Sequence, residues 1–385
     1  MRPLLLAAAL LTTLSTSAQR NVYWIDTHND VLSKQVRSGE DLALFQKDVQ
    51  LDLPKARKGH MAAQVFSIWC GEEYGPGRAF ARANQEIDSL EALVARNPAR
   101  IVLARNASDV RAAMRMHRLA ALVGVEGGHM IEERMDYLDS LAKRGMVYMT
   151  LTWNNSTSWA TSARDEVLKR DSLPHLGLTD KGRAIVARMN ELGVMVDVSH
   201  VGDRTFYDVL AASKKPVIAS HSSAYALNPF RRNLKDEQLK ALAAKGGVVF
   251  VNFYSGFLDS TYAARQADFL AAHRRELDSL TRAMGGDPDE AALRLSALHP
   301  AQAEALRAPF SLLIRHIDYM VKLIGVDHVG IGADFDGAES YPKGMDDVRD
   351  YPRIAKALRK LGYSKEDIQK IASGNFLRVL AANRP

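Results

Sequence analysis

Six side chains that can bind a metal or transfer a proton come directly after short apolar segments of this 385-residue sequence. They are His28 and Asp30 in I-D-T-H-N-D, Glu126 in G-V-E-G-G-H, His200 in D-V-S-H, His221 in A-S-H-S-S and Asp334 in G-A-D-F-D-G. Imidazole nitrogens and carboxylate oxygens together suit zinc. Two divalent ions about 3.5–4 Å apart can share an activated water and polarise a carbonyl, which amide hydrolysis requires. A carboxylate between the ions can bridge them, and a further carboxylate can move protons.

Single histidines often have no such role, and the chain has eleven of them. We interpret six as surface or structural residues: His60, His117, His175, His273, His299 and His316. His200 and His221 differ because each ends an apolar segment, where an unpaired polar side chain would be costly to bury. His129 stays ambiguous, and His328 opens the last predicted strand, at the wrong end for a site residue. A supporting or turn role is expected for Asp26, Asp197 and Asp336.

The elements that must position these residues are eight short apolar runs, which we predict to be strands. They are Val22–Asp26, Ala62–Ile68, Ala120–Val125, Val147–Thr152, Val194–Val198, Pro216–Ala219, Gly247–Asn252 and His328–Gly332. Segments with helical apolar spacing lie between most of them, and this alternation predicts a parallel α/β sheet. Eight such units predict a closed TIM-type (β/α)8 barrel, in which the loops after the strands carry the chemistry. An open doubly wound sheet is disfavoured because no glycine-rich nucleotide loop follows the first strand.

We predict one catalytic domain over residues 19–385, with a polar, helix-prone insertion or lid at 255–309 between strands seven and eight. Residues 1–18 combine a positive start, an apolar run at Leu4–Leu11 too short to span a bilayer, and small residues before Gln19. This pattern is typical of a secretory signal peptide. We therefore expect an exported protein, periplasmic or secreted, with no membrane span.

The composition argues against other classes of protein. The hydrophobic fraction of 47% and the charged fraction of 25% are ordinary for a soluble globular chain. The net charge of +6 is spread along the sequence, and without a basic patch or a known module we expect no nucleic-acid partner. Cys70 is the single cysteine, which excludes an intrachain disulfide and a cysteine-based zinc site.

Taken together with R-R-N and V-N-F-Y, these motifs resemble the membrane dipeptidase (renal dipeptidase-like) family of zinc peptidases, in the amidohydrolase-like barrel superfamily. The resemblance runs from about Tyr23 to Leu380. The first motif has His-x-Asp where most of the superfamily has His-x-His, and this difference points to the membrane dipeptidase family within the superfamily. It implies a metallo-dependent hydrolase fold with two zinc ions bridged by Glu126. The implied ligands are His28, Asp30 and Glu126 for one ion and Glu126, His200 and His221 for the other.

The resemblance also implies roles for residues outside the metal ligands. Asp334 looks like the proton shuttle beside a hydroxide that bridges the two ions. Arg232 resembles the arginine that holds the terminal carboxylate of the substrate, and Tyr254 would line the same pocket. From the residues alone, Arg231 and Arg232 could equally be a surface pair. The implied activity is hydrolysis of the amide bond of dipeptides, and the resemblance suggests a homodimer.

One residue departs from the family pattern. Trp153, in L-T-W-N-N, stands where the animal enzymes carry a histidine that contacts the substrate. An indole offers one N–H donor and an apolar face, so carbonyl polarisation would fall on the metal ions, Asn154 or Asn155. Two alternatives stay open: another binuclear-metal amidohydrolase acting on N-acyl amino acids, lactams or lactones, and a non-catalytic binding protein on the same barrel.

Overall fold

The computed structural model describes residues 22–283 and 288–384, and nine parallel strands run through this part of the chain. In chain order they are β1 (Trp24–Asp26), β2 (Met61–Ile68), β3 (Ile101–Leu103), β4 (Leu119–Glu126), β5 (Met146–Thr150), β6 (Met195–Asp197), β7 (Ile218–Ala219), β8 (Val248–Val251) and β9 (Val329–Ile331). All of them except β3 are mainly apolar and are buried on both faces, as expected for a parallel sheet covered by helices.

Eight of these strands close into a barrel. Their order is β2-β1-β9-β8-β7-β6-β5-β4, and β2 pairs in turn with β4, from Ala63 opposite Ala120 to Ile68 opposite Val125. Each of the eight predicted strands is present, with bounds that differ by at most two residues. The prediction of a (β/α)8 barrel is therefore confirmed.

The sequence analysis missed β3, which is not one of the eight barrel strands. It pairs with residues 119–121 of β4, while β5 pairs with residues 123–126 along the same edge. Its three residues, Ile-Val-Leu, are apolar, but the run is short and only Ile101 is buried. Its extended conformation depends on pairing with β4, and the local sequence does not predict that pairing.

Helices fill the connections between strands up to β8. They are α1 (Val31–Ser38), α2 (Leu53–Lys58), α3 (Ala79–Arg96), α4 (Ala107–Arg115), α5 (Met135–Lys143), α6 (Ala163–Leu168), α7 (Asp180–Leu192), α8 (Asp203–Ala212) and α9 (Asp236–Ala244). Local chemistry sets several of their ends. In α7, for example, the Thr179 side chain accepts the N–H of Gly182 at the start, and Gly193 adopts the left-handed backbone at the end.

The connection between β8 and β9 holds the predicted helical insertion. It contains α10 (Ser255–Leu258), α11 (Tyr262–Ala272), α12 (Arg274–Ala283), α13 (Pro288–Leu298) and α14 (Pro300–Leu306). The chain then continues through α15 (Phe310–Ile324) into β9 and ends in α16 (Tyr351–Lys360), α17 (Lys365–Gln369) and α18 (Asn375–Asn383).

Across residues 22–283 and 288–384, no helix is both long enough and apolar enough to cross a membrane. The predicted signal peptide at 1–18 lies outside the described residues.

Two buried aromatic rings within the strands depend on glycines opposite them. A Cβ atom at Gly124 would lie 2.3 Å from the Cζ of Tyr148, and one at Gly330 would lie 2.3 Å from the Cδ1 of Phe250. Any larger residue at these two positions would displace the rings. The space at Gly124 matters for the site, because it lets the hydroxyl of Tyr148 reach the rim of the barrel.

Candidate metal centre and substrate mouth

The carboxyl ends of five barrel strands bring the six predicted side chains together. His28 and Asp30 follow β1, Glu126 ends β4, and the others follow β6, β7 and β9: His200, His221 and Asp334. His200 and Asp334 adopt left-handed backbone, with φ of 68° and 62°. Non-glycine residues in this region are uncommon and cluster at functional sites. The unfavourable backbone of His200 and Asp334 therefore supports a functional role for the two loops that contain them.

Glu126 lies at the centre of this group. Its Oε2 is 3.4 Å from the Nε2 of His28, while its Oε1 is 2.9 Å from the Nε2 of His200 and 3.4 Å from that of His221. One carboxylate therefore presents one oxygen to His28 and the other to His200 and His221. This is the arrangement that a carboxylate shared between two cations requires.

Two aspartates complete the half of the site that contains His28. The Nε2 of His28 lies 3.5 Å from the Oδ2 of Asp30 and 4.0 Å from the Oδ1 of Asp334. His28, Glu126 and His221 form one group of closely spaced ligand atoms, and His28, Asp30 and Asp334 form another.

Hydrogen bonds determine which nitrogen of His28 faces the centre. The hydroxyl of Tyr148 donates to the carbonyl of Thr27 at 2.9 Å, so it can only accept from the Nδ1 of His28, 2.8 Å away. The proton of the neutral ring therefore lies on Nδ1, and Nε2 presents its lone pair to the carboxylates. A partner that fixes the tautomer in this way is typical of a ligating histidine.

A chain of hydrogen bonds does the same for His221. Its Nδ1 lies 2.8 Å from the Oγ of Ser220, whose hydroxyl donates to the Oδ2 of Asp197 at 2.6 Å. Because that hydroxyl proton is already used, Nδ1 must be the donor to Ser220. The Nε2 of His221 is left free to face Glu126.

The donors fit a pair of divalent cations. The Nε2 of His28 and the Oδ1 of Asp30 are buried at the site and have no hydrogen-bond partner. Unpaired buried polar atoms are costly, and a bound ion is one explanation for them. Imidazole nitrogen and carboxylate oxygen are ligands that zinc accepts.

The electrostatics of the site also favour a bound cation. Burial alone would raise the pKa of Glu126, but the charge of His28 and the hydrogen bond from His200 hold it well below its usual range. Burial disfavours a charged His28, yet the charges of Glu126 and Asp30 raise its pKa to about 10. Burial and the charge of Arg232 lower the pKa of His200 to about 3. The carboxylates thus favour a positive charge beside them, while His200 stays neutral and able to ligate.

Asp334 is held at the edge of the centre. The side-chain amide of Asn252 donates to its Oδ2 at 2.8 Å, and its side chain keeps 15% exposure. Burial raises its pKa, the charge of Glu126 adds to the effect and that of His28 opposes it. Behind it, Asp26 accepts N–H bonds from His28 and Ala333 and joins the two loops.

Arg232 lies next to this group, and its guanidinium is buried but makes only one long hydrogen bond. The residue is 5% exposed, its Nε has no partner, and its Nη2 reaches the carbonyl of His221 at 3.4 Å. Within the described residues, no carboxylate lies within ion-pair distance of it. Burial lowers its pKa to about 10, so it stays charged at neutral pH. A buried charge without a counterion is costly, and an anionic ligand would relieve that cost.

Tyr254 lies in the same region but not against Arg232. Its hydroxyl donates to the Oε1 of Glu339 at 2.5 Å, and its ring packs edge-on against Phe257, at 4.9 Å between centroids. The guanidinium of Arg232 lies 5.4 Å from the centre of that Phe257 ring. Phe257 thus connects the two predicted substrate residues, and sequence reasoning did not identify it.

Trp153 forms an aromatic wall beside His200. Its ring lies 6.4 Å from that of His200 and packs edge-on against Trp69, 5.1 Å away. Both indoles are half-buried. Trp153 therefore presents an aromatic, apolar side chain beside His200.

Other predicted positions lie elsewhere. The Nε2 of His129 donates to the carbonyl of Cys70 at 3.0 Å, and His328 contacts the carbonyl of Gly247 at the opposite end of the barrel. Sequence reasoning missed Tyr148 and Ser220, and it gave no role to Asn252. Ser220 alone had a local signal, as a hydroxyl directly before a candidate ligand.

Comparison with known proteins gives a consistent result. The family model for membrane dipeptidases, peptidase family M19, matches residues 15–384. An uncharacterised dipeptidase of Schizosaccharomyces pombe is 33% identical over 373 residues, covering 92% of this chain and 79% of that protein.

Solved structures agree with the family match. A metallopeptidase from Rhodobacter sphaeroides, solved with a phosphinate mimic of the dipeptide L-Ala-D-Ala, has a TM-score of 0.75 at 25% identity and covers 94% of this chain and 99% of its own. The probable dipeptidase PvdM from Pseudomonas aeruginosa has a TM-score of 0.77 at 25% identity, with 95% and 96% covered.

Proposed function

The chain belongs to the membrane dipeptidase family and is a metal-dependent dipeptidase, and we propose that it works with two zinc ions at the barrel rim. His28, Asp30 and Glu126 would hold one ion, and Glu126, His200 and His221 the other. The observation that carries this proposal is the position of Glu126, whose two oxygens face different sets of imidazoles. When bound, such a pair of ions supplies an activated water and polarises the scissile carbonyl.

The side chains of the protein have three tasks in this reaction. Arg232 binds the terminal carboxylate of the dipeptide and fixes the amide bond near Glu126. Asp334 delivers a proton from its carboxyl oxygen to the leaving amine, and its raised pKa supports this role. Asn252 keeps Asp334 in position through the bond to Oδ2.

Trp153 and Trp69 are proposed to border the substrate side chain. A histidine at position 153 would offer a titrating nitrogen, whereas the indole offers mainly apolar contact area. The mimic bound by the Rhodobacter relative represents L-Ala-D-Ala. We expect this chain to hydrolyse such small dipeptides. Dipeptides with larger apolar side chains should bind more tightly, because these side chains would pack against the two indoles.

Two further proposals concern the whole chain. Residues 1–18 are proposed to be a signal peptide for export, and residues 19–385 to form one catalytic domain. The insertion at 255–309 would then flank the substrate mouth, because Tyr254 and Phe257 lie where it begins.

Zinc titration of chelated protein tests the metal proposal. Hydrolysis of L-Ala-D-Ala should be absent before the titration and return as zinc is added. Asp30→Ala and His200→Ala should each bind less zinc and stay inactive, since each removes a ligand of a different ion. His328→Ala is the matched control, because this imidazole lies at the far end of the barrel. Full activity in chelated protein, or in both ligand variants, would contradict the proposal.

A further inference from the structure

Two histidines and a glutamate of the insertion converge away from the barrel rim. His273 directly follows α11, Glu276 lies in the first turn of α12, and His299 directly precedes α14. One ligand atom from each lies within 4.8 Å of the other two. The two imidazole rings are 3.9 Å apart between centroids. We interpreted both histidines from the sequence as surface or structural residues, and their convergence changes that interpretation.

Gln302 determines which nitrogen of His273 faces the cluster. Its Oε1 lies 2.9 Å from the Nε2 of His273, and an amide oxygen can only accept, so Nε2 carries the proton. In the neutral ring, Nδ1 then presents its lone pair towards Glu276. The distance from Nδ1 to the Oε2 of Glu276 is 3.7 Å, too long for a hydrogen bond. An outer partner that orients an imidazole in this way is typical of metal sites.

The hydrogen bond between His299 and Glu276 explains only part of this arrangement. The Nε2 of His299 lies 2.8 Å from the Oε2 of Glu276, the same oxygen that lies opposite His273. Protonating both neighbouring imidazoles would bring two positive charges together. If both rings stay neutral, only His299 can donate a hydrogen bond to the carboxylate of Glu276. A single divalent cation would satisfy all three groups.

We propose that His273, Glu276 and His299 form a separate transition-metal site in the insertion. Two imidazole nitrogens and one carboxylate oxygen suit zinc, with a water molecule as the fourth ligand. The side chains are 18%, 41% and 27% exposed, so an ion and a chelator can reach the site from solvent. This site is independent of the two ions proposed at the barrel rim.

The location of this site gives it a structural role. His273 and Glu276 lie where α11 meets α12, and His299 lies where α13 meets α14. A bound ion would therefore tie the start of α12 to the end of α13, two helices that already pack together. Metal binding at such a site contributes directly to local folding stability.

The test is the zinc content of the full-length chain after dialysis against buffered free zinc, measured by mass spectrometry. The H273A/H299A double variant should bind one zinc fewer than the wild type. H117N, which removes an exposed imidazole elsewhere, should bind as much as the wild type. The difference between variants is independent of how many ions the barrel rim holds. His200→Ala should keep the zinc of the insertion.

A conservative variant and a second measurement guard against misfolding. E276Q keeps the size of the side chain, removes its charge and should also lose one zinc. Zinc should slow trypsin cleavage after the exposed Arg282 at the end of α12 in the wild type, but not in E276Q. Wild-type zinc content in a folded E276Q and in the double variant would overturn the proposal.

Discussion

Replacing Arg232 by alanine should weaken binding of dipeptides through loss of one specific contact. The guanidinium is buried, has an unpartnered Nε and lies beside His221, so its charge is available to a substrate carboxylate. Because the carboxylate keeps its charge through the reaction, Arg232 should bind ground state and transition state alike. The variant should therefore raise KM more than it lowers kcat.

The burial of Arg232 sets the magnitude. Removing one partner of a buried, hydrogen-bonded charge pair costs about 2–5 kcal/mol. Water can enter the space left in Arg232→Ala and hydrate the carboxylate, so we expect about 3 kcal/mol. This corresponds to a loss of about 150-fold in kcat/KM.

A double-mutant cycle that changes both Arg232 and the substrate carboxylate distinguishes loss of this contact from a general loss of activity. L-Ala-D-Ala and its C-terminal amide are assayed with wild type and with Arg232→Ala. The wild type should prefer the free acid by about the same factor of 150, and the variant should show almost no preference. Arg231→Ala is the control, because this neighbouring arginine is exposed. If Arg232→Ala still preferred the free acid as strongly as the wild type, the assignment of Arg232 would be wrong.

Three further changes test other parts of the site. Asp334→Asn should lower kcat by about 10²–10⁴-fold at unchanged zinc content, since it removes the proton donor; near-normal turnover would refute that role. Tyr148→Phe should weaken zinc binding by about 10–100-fold in a competition titration, because His28 loses the acceptor that fixes its tautomer, and unchanged affinity would argue against this. Trp153→Ala should lower kcat/KM more for dipeptides with an aromatic side chain than for L-Ala-D-Ala, and equal losses would show that the indole does not contact the substrate.

The sequence predicts the barrel well because its strands are buried on both faces. Such strands read as continuous apolar runs, and the rule that chemistry follows the strands then selects the six polar residues at their ends. The strand at Ile101–Leu103 escapes this reasoning, since only one of its residues is buried and its pairing depends on β4.

The supporting contacts could not be predicted because they join residues that are distant in the chain. Tyr148 and His28 are 120 residues apart, and Asn252 and Asp334 are 82 residues apart. Nothing in the local sequence of Tyr148 separates it from an ordinary core aromatic residue. The meeting of His273 and His299 is of the same kind, since only the packing of the insertion brings the two rings together.

The most direct test of the central claim is amino-acid release from a panel of dipeptides by zinc-loaded protein, with and without a chelator. The panel contains L-L and L-D pairs together with N-acetylated controls. We predict cleavage of the free dipeptides alone, abolished by the chelator. Cleavage confined to the acetylated controls would contradict this account and indicate another amidohydrolase, and no turnover by the zinc-loaded protein would contradict it as well.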